Sequence, residues 1–282
     1  MNPLGLHALV WTGEWTQESA RHAIENTKRI GFDIIEIPIL EPEHFDVGMT
    51  KQLLADNDLR AACSLGLSDD TDVSSPDPEI VGRGRERLAA AVDVAAGIGA
   101  GNLCGVLYSK LGKYPEPISD AGRQHVLESM AWLAQTTAAV GLPTSLEVVN
   151  RYESNVVNTV AEMLTLIDDA GADLTVHLDT YHANIEENGF SEPVVTAGSR
   201  LGYVHVGESH RGYLGTGTID FPEFFSALRT SGYQGPVTFE SFSSAVVHPE
   251  LSNTLAVWRN LWSDGADLAQ HAYDFMAGHL RG

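Results

Sequence analysis

The chain is poor in cysteine and in positive charge, and it has no long apolar run. Two cysteines, Cys63 and Cys104, among 282 residues cannot make the disulfide framework of a small secreted scaffold. Both sit inside apolar, strand-like stretches, LRAACSLGL and GNLCGVLY, and are expected to be buried packing residues. No window approaches the roughly 18 consecutive apolar residues that a membrane span needs, so no membrane partner is expected. The amino terminus, MNPLGLHALVWTGEW, has no early Lys or Arg and no small-residue cleavage pattern. A signal peptide is therefore not expected, and a cytoplasmic location is. The 17 Lys and Arg against 38 Asp and Glu leave a formal charge of −21. That field repels a phosphate backbone, which excludes nucleic acid as an expected partner. It also weighs against phosphorylated substrates unless a local basic pocket overrides it.

Phosphate-cradling loops are missing too. No G-x-G-x-x-G follows the first apolar run and no G-x-x-x-x-G-K-[ST] occurs, so the marks of a nucleotide-binding doubly wound sheet are absent.

What is present is an ordinary globular composition, 43% hydrophobic and 20% charged, with no linker-like or low-complexity stretch. One domain spanning 1–282 is expected. Short β-branched runs alternate with longer amphipathic segments, as in repeated βα units. The expected strands are 5–11, 32–38, 59–66, 101–107, 144–150, 174–180, 202–208 and 236–242. Helical patterns fall near 17–30, 50–56, 78–99, 120–140, 157–169, 193–199 and 221–231, with a helical tail over 250–280. Gly31 is placed to end the first helix, Ser119 to cap the fourth, and Pro222 to open the seventh. The segment at 193–199 is short and carries Pro193, so its helical signal is weak. The fold class expected is an α/β (β/α)₈ TIM barrel with a C-terminal helical extension.

The last four strands each end in a group able to ligate a metal: Glu147 in SLEVV, Asp179 in HLDTYH, His205 in YVHVGE and Glu240 in TFESF. Successive members lie on the order of 30 residues apart, the length of one βα unit. In a barrel, the carboxyl ends of neighbouring strands converge on one mouth, so four distant groups become one cluster. Any one of them alone reads as an ordinary salt-bridge partner. Three carboxylates buried together need a cation. Three carboxylates and one imidazole, without cysteine, suit one divalent ion such as Mn²⁺ or Mg²⁺ better than structural zinc.

The segments SLEVVNRYE, VHLDTYHANIEE, YVHVGESHRGYLGTG and GPVTFESFS resemble the ketose 3-epimerase family (D-tagatose, D-allulose and L-ribulose 3-epimerases) within the xylose-isomerase-like barrels. The similarity is strongest over 144–245. The resemblance implies that Glu147 and Glu240 are both metal ligands and the acid/base pair, with Asp179 and His205 completing the ligand set. It implies that Glu153 (NRYE), His182 (TYHAN) and Arg211 (SHRG) bind the ketose near O1 and O2. It further implies one ion per subunit, Mn²⁺ first with Mg²⁺ or Co²⁺ as alternatives, and a homodimer or homotetramer.

Inverting C3 of a ketose requires removing a weakly acidic proton beside a carbonyl, for which a divalent ion supplies polarisation. The proton must then return on the opposite face, through a cis-enediolate, which two carboxylates can do and one cannot easily do. Some relatives carry a Trp after the fourth strand against the far end of the sugar. Here YSKLGKYPEP has none, and Tyr108 or Tyr114 is expected to substitute. His7 and Trp11 fall at the end of the first strand, Trp11 as pocket wall or as core packing. The nearest competing reading is an isomerase or 3-epimerase of a phosphorylated ketose, for which only Arg211, Lys110 and Lys113 offer positive charge. A DNA-cutting barrel would need more His ligands and a basic groove, and a non-catalytic sugar binder would not need both glutamates. In the tail, Leu255, Trp258, Leu261 and Trp262 recur at helical spacing and are expected to serve barrel packing and subunit contact.

Overall fold

Punctuation at the ends of the amphipathic stretches decides where the helices begin and stop. In the computed structural model, which describes residues 1–281, Thr16 and Ser19 form a capping box at the start of α1 (Gln17–Ile30). Gly31 ends that helix at φ 113°, a conformation that costs an L side chain energy and glycine little. Ser119 caps α4 (Asp120–Ala139), and Asp220 caps α8 (Phe221–Ser231), whose opening turn holds Pro222. Each helix turns an apolar stripe inward. On α1 the stripe is Ala20, Ala23 and Ile24 with Thr27, and full burial of a side chain the size of Ile24 contributes about 1.5–3 kcal/mol.

Between these helices run eight strands: β1 (Leu4–His7), β2 (Ile34–Pro38), β3 (Arg60–Leu67), β4 (Leu103–Lys110), β5 (Thr144–Val148), β6 (Thr175–Asp179), β7 (Leu201–Val206) and β8 (Val237–Phe239). The remaining helices are α2 (Val47–Asp56), α3 (Pro78–Ile98), α5 (Val160–Asp169), α6 (Thr180–Glu186), α7 (Ser191–Ala197), α9 (Pro249–Thr254) and α10 (Gly265–Leu280). All strands pair in parallel in the order β1 to β8, and β8 returns to β1 to close the barrel. Closure explains why the strands read as nearly continuous apolar runs, since helices cover their outer faces. Cys63 and Cys104 are buried among them, as expected, and burial pushes both thiols above the usual range.

Register sets the site. His7 on β1 lies beside Glu36 on β2, Glu147 on β5 beside His177 on β6, and Asp179 beside His205 on β7.

One weak expectation holds, and the structure departs from the sequence reading elsewhere. The weak segment near 193–199 does form a helix, α7, and an unexpected helix, α6, follows β6 without a break. The tail is not one helix: α9 and α10 are separated by a non-helical stretch, 255–264, that carries all four apolar residues read at helical spacing. There, Ala256 adopts φ 53°, Ser243 Oγ donates to Asn260 Oδ1, and Trp262 Nε1 donates to Ser241 Oγ at 2.8 Å. These hydrogen bonds tie the stretch to the segment after β8 and override the helical periodicity. Helix α10 packs against α1, α8 and β1 and fills the outer position between α8 and α1. Among the described residues, no helix is long and apolar enough to cross a membrane.

Candidate active site

The four strand-end groups meet at the carboxyl mouth of the barrel. Glu147 lies on β5, Asp179 ends β6, His205 is next to last on β7, and Glu240 follows β8 directly. His205 Nδ1 lies 3.8 Å from Glu147 Oε1 and 3.5 Å from Glu240 Oε1. Ligand atoms of Asp179, His205 and Glu240 fall within 4.8 Å of one another, as do those of Glu147, Asp179 and His182, and those of Glu147, His177 and His205. All of these residues are buried.

Hydrogen bonds show which atoms are free to ligate. Asp179 Oδ1 accepts from the amide of Tyr181 at 2.8 Å, whereas Oδ2 is buried with no partner. His205 Nε2 lies 2.7 Å from Glu36 Oε2, so that nitrogen carries the proton, and the buried Nδ1 has no hydrogen-bond partner. His182 carries its proton on the same nitrogen but turns that nitrogen, not the lone pair, toward the carboxylates. Its Nδ1 accepts from the amide of Asn150 at 3.1 Å, so the neutral ring carries its proton on Nε2 and presents a donor, not a lone pair. His182 is therefore poorly suited to be a ligand. His177 sits below the cluster, packed edge-on against His205 at 4.1 Å between ring centroids.

The electrostatics point the same way. Burial first, and then the neighbouring Glu240, Asp179 and Glu153, push the Glu147 carboxyl well above its ordinary range, against the pull of His205. Glu240 is pushed up to about 7, mainly by burial, with His205 and Arg211 opposing. Carboxylates crowded in this way are relieved by a cation, and the orphaned Asp179 Oδ2 and His205 Nδ1 face the same space. This donor set of three carboxylates and one imidazole fits a divalent ion.

The groups expected around the sugar gather beside it. Arg211, at φ 60°, donates from Nη1 to Glu240 Oε2 at 2.8 Å and from Nη2 to Glu153 Oε1 at 3.4 Å. Its guanidinium lies over the rings of Tyr181 (3.8 Å) and Phe242 (4.7 Å). Burial works against the Arg211 charge, but Glu153 and Glu240 hold its pKa above the ordinary value. Asn150 Nδ2 reaches both Glu153 Oε1 (3.1 Å) and His182 Nδ1 (2.8 Å). His7, Glu147, Glu153, His182, His205, Arg211 and Glu240 all line one pocket, whose other side is mostly apolar.

Several residues have different places from those expected. Tyr108 is fully buried and donates its hydroxyl to the backbone of Glu147 at 2.8 Å, while Tyr114 donates to Asp72 at 2.7 Å. Neither lines the pocket, whose apolar side comes instead from residues such as Leu40, Leu111, Leu251 and Leu255. Trp11 resolves as packing, with Nε1 donating to Thr27 Oγ1 at 2.9 Å. Lys110 pairs with Asp69, and neither it nor Lys113 reaches the pocket. Glu36, Asn150, Tyr181 and Phe242 were not picked out from the sequence. Glu36 carries a signal in the sequence, since a charged residue inside FDIIEIP is as costly as those in SLEVV, HLDTYH and TFESF.

Comparison with known proteins agrees with this fold. A family model described as xylose isomerase-like TIM barrel matches residues 24–276. An L-ribulose 3-epimerase from Methylomonas sp. is 54% identical over 273 residues, 96% of each chain. A ketose 3-epimerase from Arthrobacter globiformis is 49% identical over 278 residues, covering 98% of this chain and 96% of the relative. A solved D-allulose 3-epimerase from Methylomonas sp., in complex with D-allulose, superposes with a TM-score of 0.97 at 53% identity, covering 99% of this chain and 97% of that one. With the barrel, the buried carboxylate and imidazole cluster and near full-length identity in agreement, the chain belongs to the ketose 3-epimerase family of xylose isomerase-like TIM barrels and is an isomerase.

Proposed function

We propose that the chain interconverts C3 epimers of free ketoses of the L-ribulose and D-allulose kind. Glu147, Asp179, His205 and Glu240 hold one divalent ion, Mn²⁺ in the first instance, with Mg²⁺ or Co²⁺ as alternatives. The observation that carries this reading is the placement of two buried carboxylates, Glu147 and Glu240, on β5 and after β8, with β6, β7 and the His205 nitrogen between them.

A bound divalent ion supplies polarisation of the ketose carbonyl and neutralises charge that builds on the enediolate. One of the two glutamates takes the C3 proton and the other returns a proton from the opposite face, the roles exchanging with the direction of reaction. Glu153, His182 and Arg211 hold the O1–O2 end. His182 offers its Nε2–H, Arg211 two arms of a planar fork, and Glu153 an acceptor. The pocket's apolar side limits water near the carbanion-like centre. A phosphorylated substrate is disfavoured because Arg211, the one Lys or Arg among the described residues lining the pocket, is already committed to Glu153 and Glu240.

The test is incubation of metal-stripped and Mn²⁺-reloaded protein with L-ribulose, D-allulose, D-fructose and D-tagatose, each analysed for its C3 epimer. Epimers should form only after reloading. Absence of any C3 epimer from the reloaded protein, or full activity with metal content verified as zero, overturns the reading. We also take residues 1–282 as one catalytic domain that assembles into a homodimer or homotetramer. Trp258, 72% exposed in the single chain, supports a subunit contact. A monomer mass by light scattering at micromolar concentration rejects that assembly.

A further inference from the structure

A buried carboxylate lies beneath the cluster and outside the ligand set. Glu36 is wholly buried on β2, flanked in sequence by the core residues Ile35 and Ile37. Its Oε2 reaches across the barrel interior to His205 Nε2 on β7, at 2.7 Å. Its Oε1 faces His7 Nε2 at 3.4 Å. His7 Nδ1 accepts from the amide of Leu9 at 3.2 Å, so the proton of the neutral ring sits on Nε2, toward Glu36 and toward Ser64 Oγ at 3.3 Å. The carboxylate thus lies between two imidazole rings, hydrogen-bonded to His205 through Oε2 while Oε1 has no hydrogen-bond partner and only faces His7.

An ionised side chain in an apolar interior is retained at a cost of several kcal/mol unless its partners offset it. A well-packed aliphatic residue at this strand position would avoid that cost but would leave His205 Nε2 without a partner. The ring could then turn over or hold its proton on Nδ1, the nitrogen that faces Glu147 and Glu240. A carboxylate on the far nitrogen of a ligating histidine fixes both tautomer and ring orientation and makes the near nitrogen a stronger donor.

We propose that Glu36 is the positioning residue of the metal centre: by accepting a hydrogen bond from His205 Nε2–H it directs the Nδ1 lone pair into the ligand cluster. The inference rests on the metal-binding reading given above. Its test is Mn²⁺ binding to metal-stripped protein, measured by calorimetry on the wild type, Glu36→Ala and Glu36→Gln, with no sugar present.

The wild type should bind one Mn²⁺ per chain. Glu36→Ala should bind it about 10- to 100-fold more weakly. Glu36→Gln, which keeps shape but loses the charge, should be weaker by about 5-fold or more. Nitrogen-15 spectra of the Mg²⁺-loaded protein should show His205 protonated on Nε2 in the wild type and a mixture of tautomers in Glu36→Ala. A residue that served packing alone would lower the melting temperature of the metal-stripped protein and leave both readouts unchanged. If the alanine variant does not fold, the isosteric glutamine variant decides. Mn²⁺ affinity within twofold of wild type in the folded variants overturns the role of Glu36 alone, whereas a wild type that binds no Mn²⁺ overturns the metal centre itself.

Discussion

Arg211 donates to Glu240 Oε2 at 2.8 Å with both side chains buried, so one glutamate of the proposed acid/base pair is also held by the residue proposed to hold the sugar. The second arm reaches Glu153, and the guanidinium is layered between Tyr181 and Phe242. A lysine can supply the charge but neither the fork nor the stacking. Arg211→Lys should therefore lower kcat/KM about 10- to 100-fold, the equivalent of about 1.5–3 kcal/mol for a charge-assisted hydrogen bond, with metal content unchanged. Steady-state kinetics beside metal analysis checks this, and an unchanged kcat/KM removes Arg211 from the site.

His182 depends on Asn150, whose amide nitrogens donate to its Nδ1 and also reach Glu153. Asn150→Asp replaces the Nδ2 donor with an acceptor and adds a carboxylate to an acidic pocket. The variant should lose about tenfold or more in kcat/KM, the scale of one hydrogen bond to a charged group. His182→Ala should raise KM while leaving Mn²⁺ bound, because Nε2 bears a proton and is no ligand. Loss of the metal in His182→Ala contradicts that tautomer assignment.

Much of this is legible in the sequence, for definite reasons. The strands announced themselves because a barrel buries both faces, and Glu147, Asp179, His205 and Glu240 stood out as charged or imidazole groups at the ends of such runs. What escaped depends on pairings formed only when the barrel closes. Glu36 looks like an isolated oddity in FDIIEIP until His205, 169 residues away, is brought to it. Tyr181 gains meaning only from α6, which starts directly at the end of β6 with Asp179 as its cap. The tail misled because Leu255, Trp258, Leu261 and Trp262 keep helical spacing, while hydrogen bonds from Ser243 and Trp262 hold the chain open.

Metal binding should be linked to protons. The Glu240 carboxyl is raised to about 7 and that of Glu147 is raised well above its ordinary value, chiefly by burial. A raised carboxyl contributes stability below its unfolded pKa, and that contribution is lost as pH rises through the folded value. The metal-stripped protein should therefore lose this contribution as pH climbs through about 7. The cation binds the ionised form, so the gain in melting temperature on adding Mn²⁺ should grow over the same interval. Scanning fluorimetry across roughly pH 5.5–8.5, with chelator or Mn²⁺, measures the difference. A gain that is flat or falls with pH refutes the linkage.

Gly105 tests the barrel wall beside the pocket. Its φ is 111°, and a Cβ added there would lie 2.3 Å from the carbonyl oxygen of Leu65. Backbone cannot yield as a flexible side-chain end can. Gly105→Ala should cost at least about 2 kcal/mol, from overpacking and a left-handed conformation together. For a chain of this size that lowers the melting temperature by about 4–8 °C. A shift below about 1 °C would mean that the β3–β4 pairing tolerates the methyl group.

The two-glutamate scheme makes a prediction about isotope position. If Glu147 and Glu240 act from opposite faces, the proton removed from C3 is not the one returned, because each carboxylate exchanges with solvent between turnovers. Epimerisation in D₂O should place deuterium at C3 of the product and leave C4 and C5 unlabelled. Glu147→Gln and Glu240→Gln should each suppress epimerisation in both directions, by about 10²-fold or more, since each direction needs both groups in complementary protonation states. The two variants should differ in what remains. The one that keeps the base for a given epimer can still deprotonate it and take back deuterium on the same face, so it washes label into that epimer without inverting it. The other variant should do the same for the opposite epimer. Both ligate the metal in this reading, so metal content must be brought to wild-type occupancy before the comparison. Product without deuterium at C3, or with label at C4, would point to a redox or retro-aldol route and withdraw both glutamates from the proposed roles.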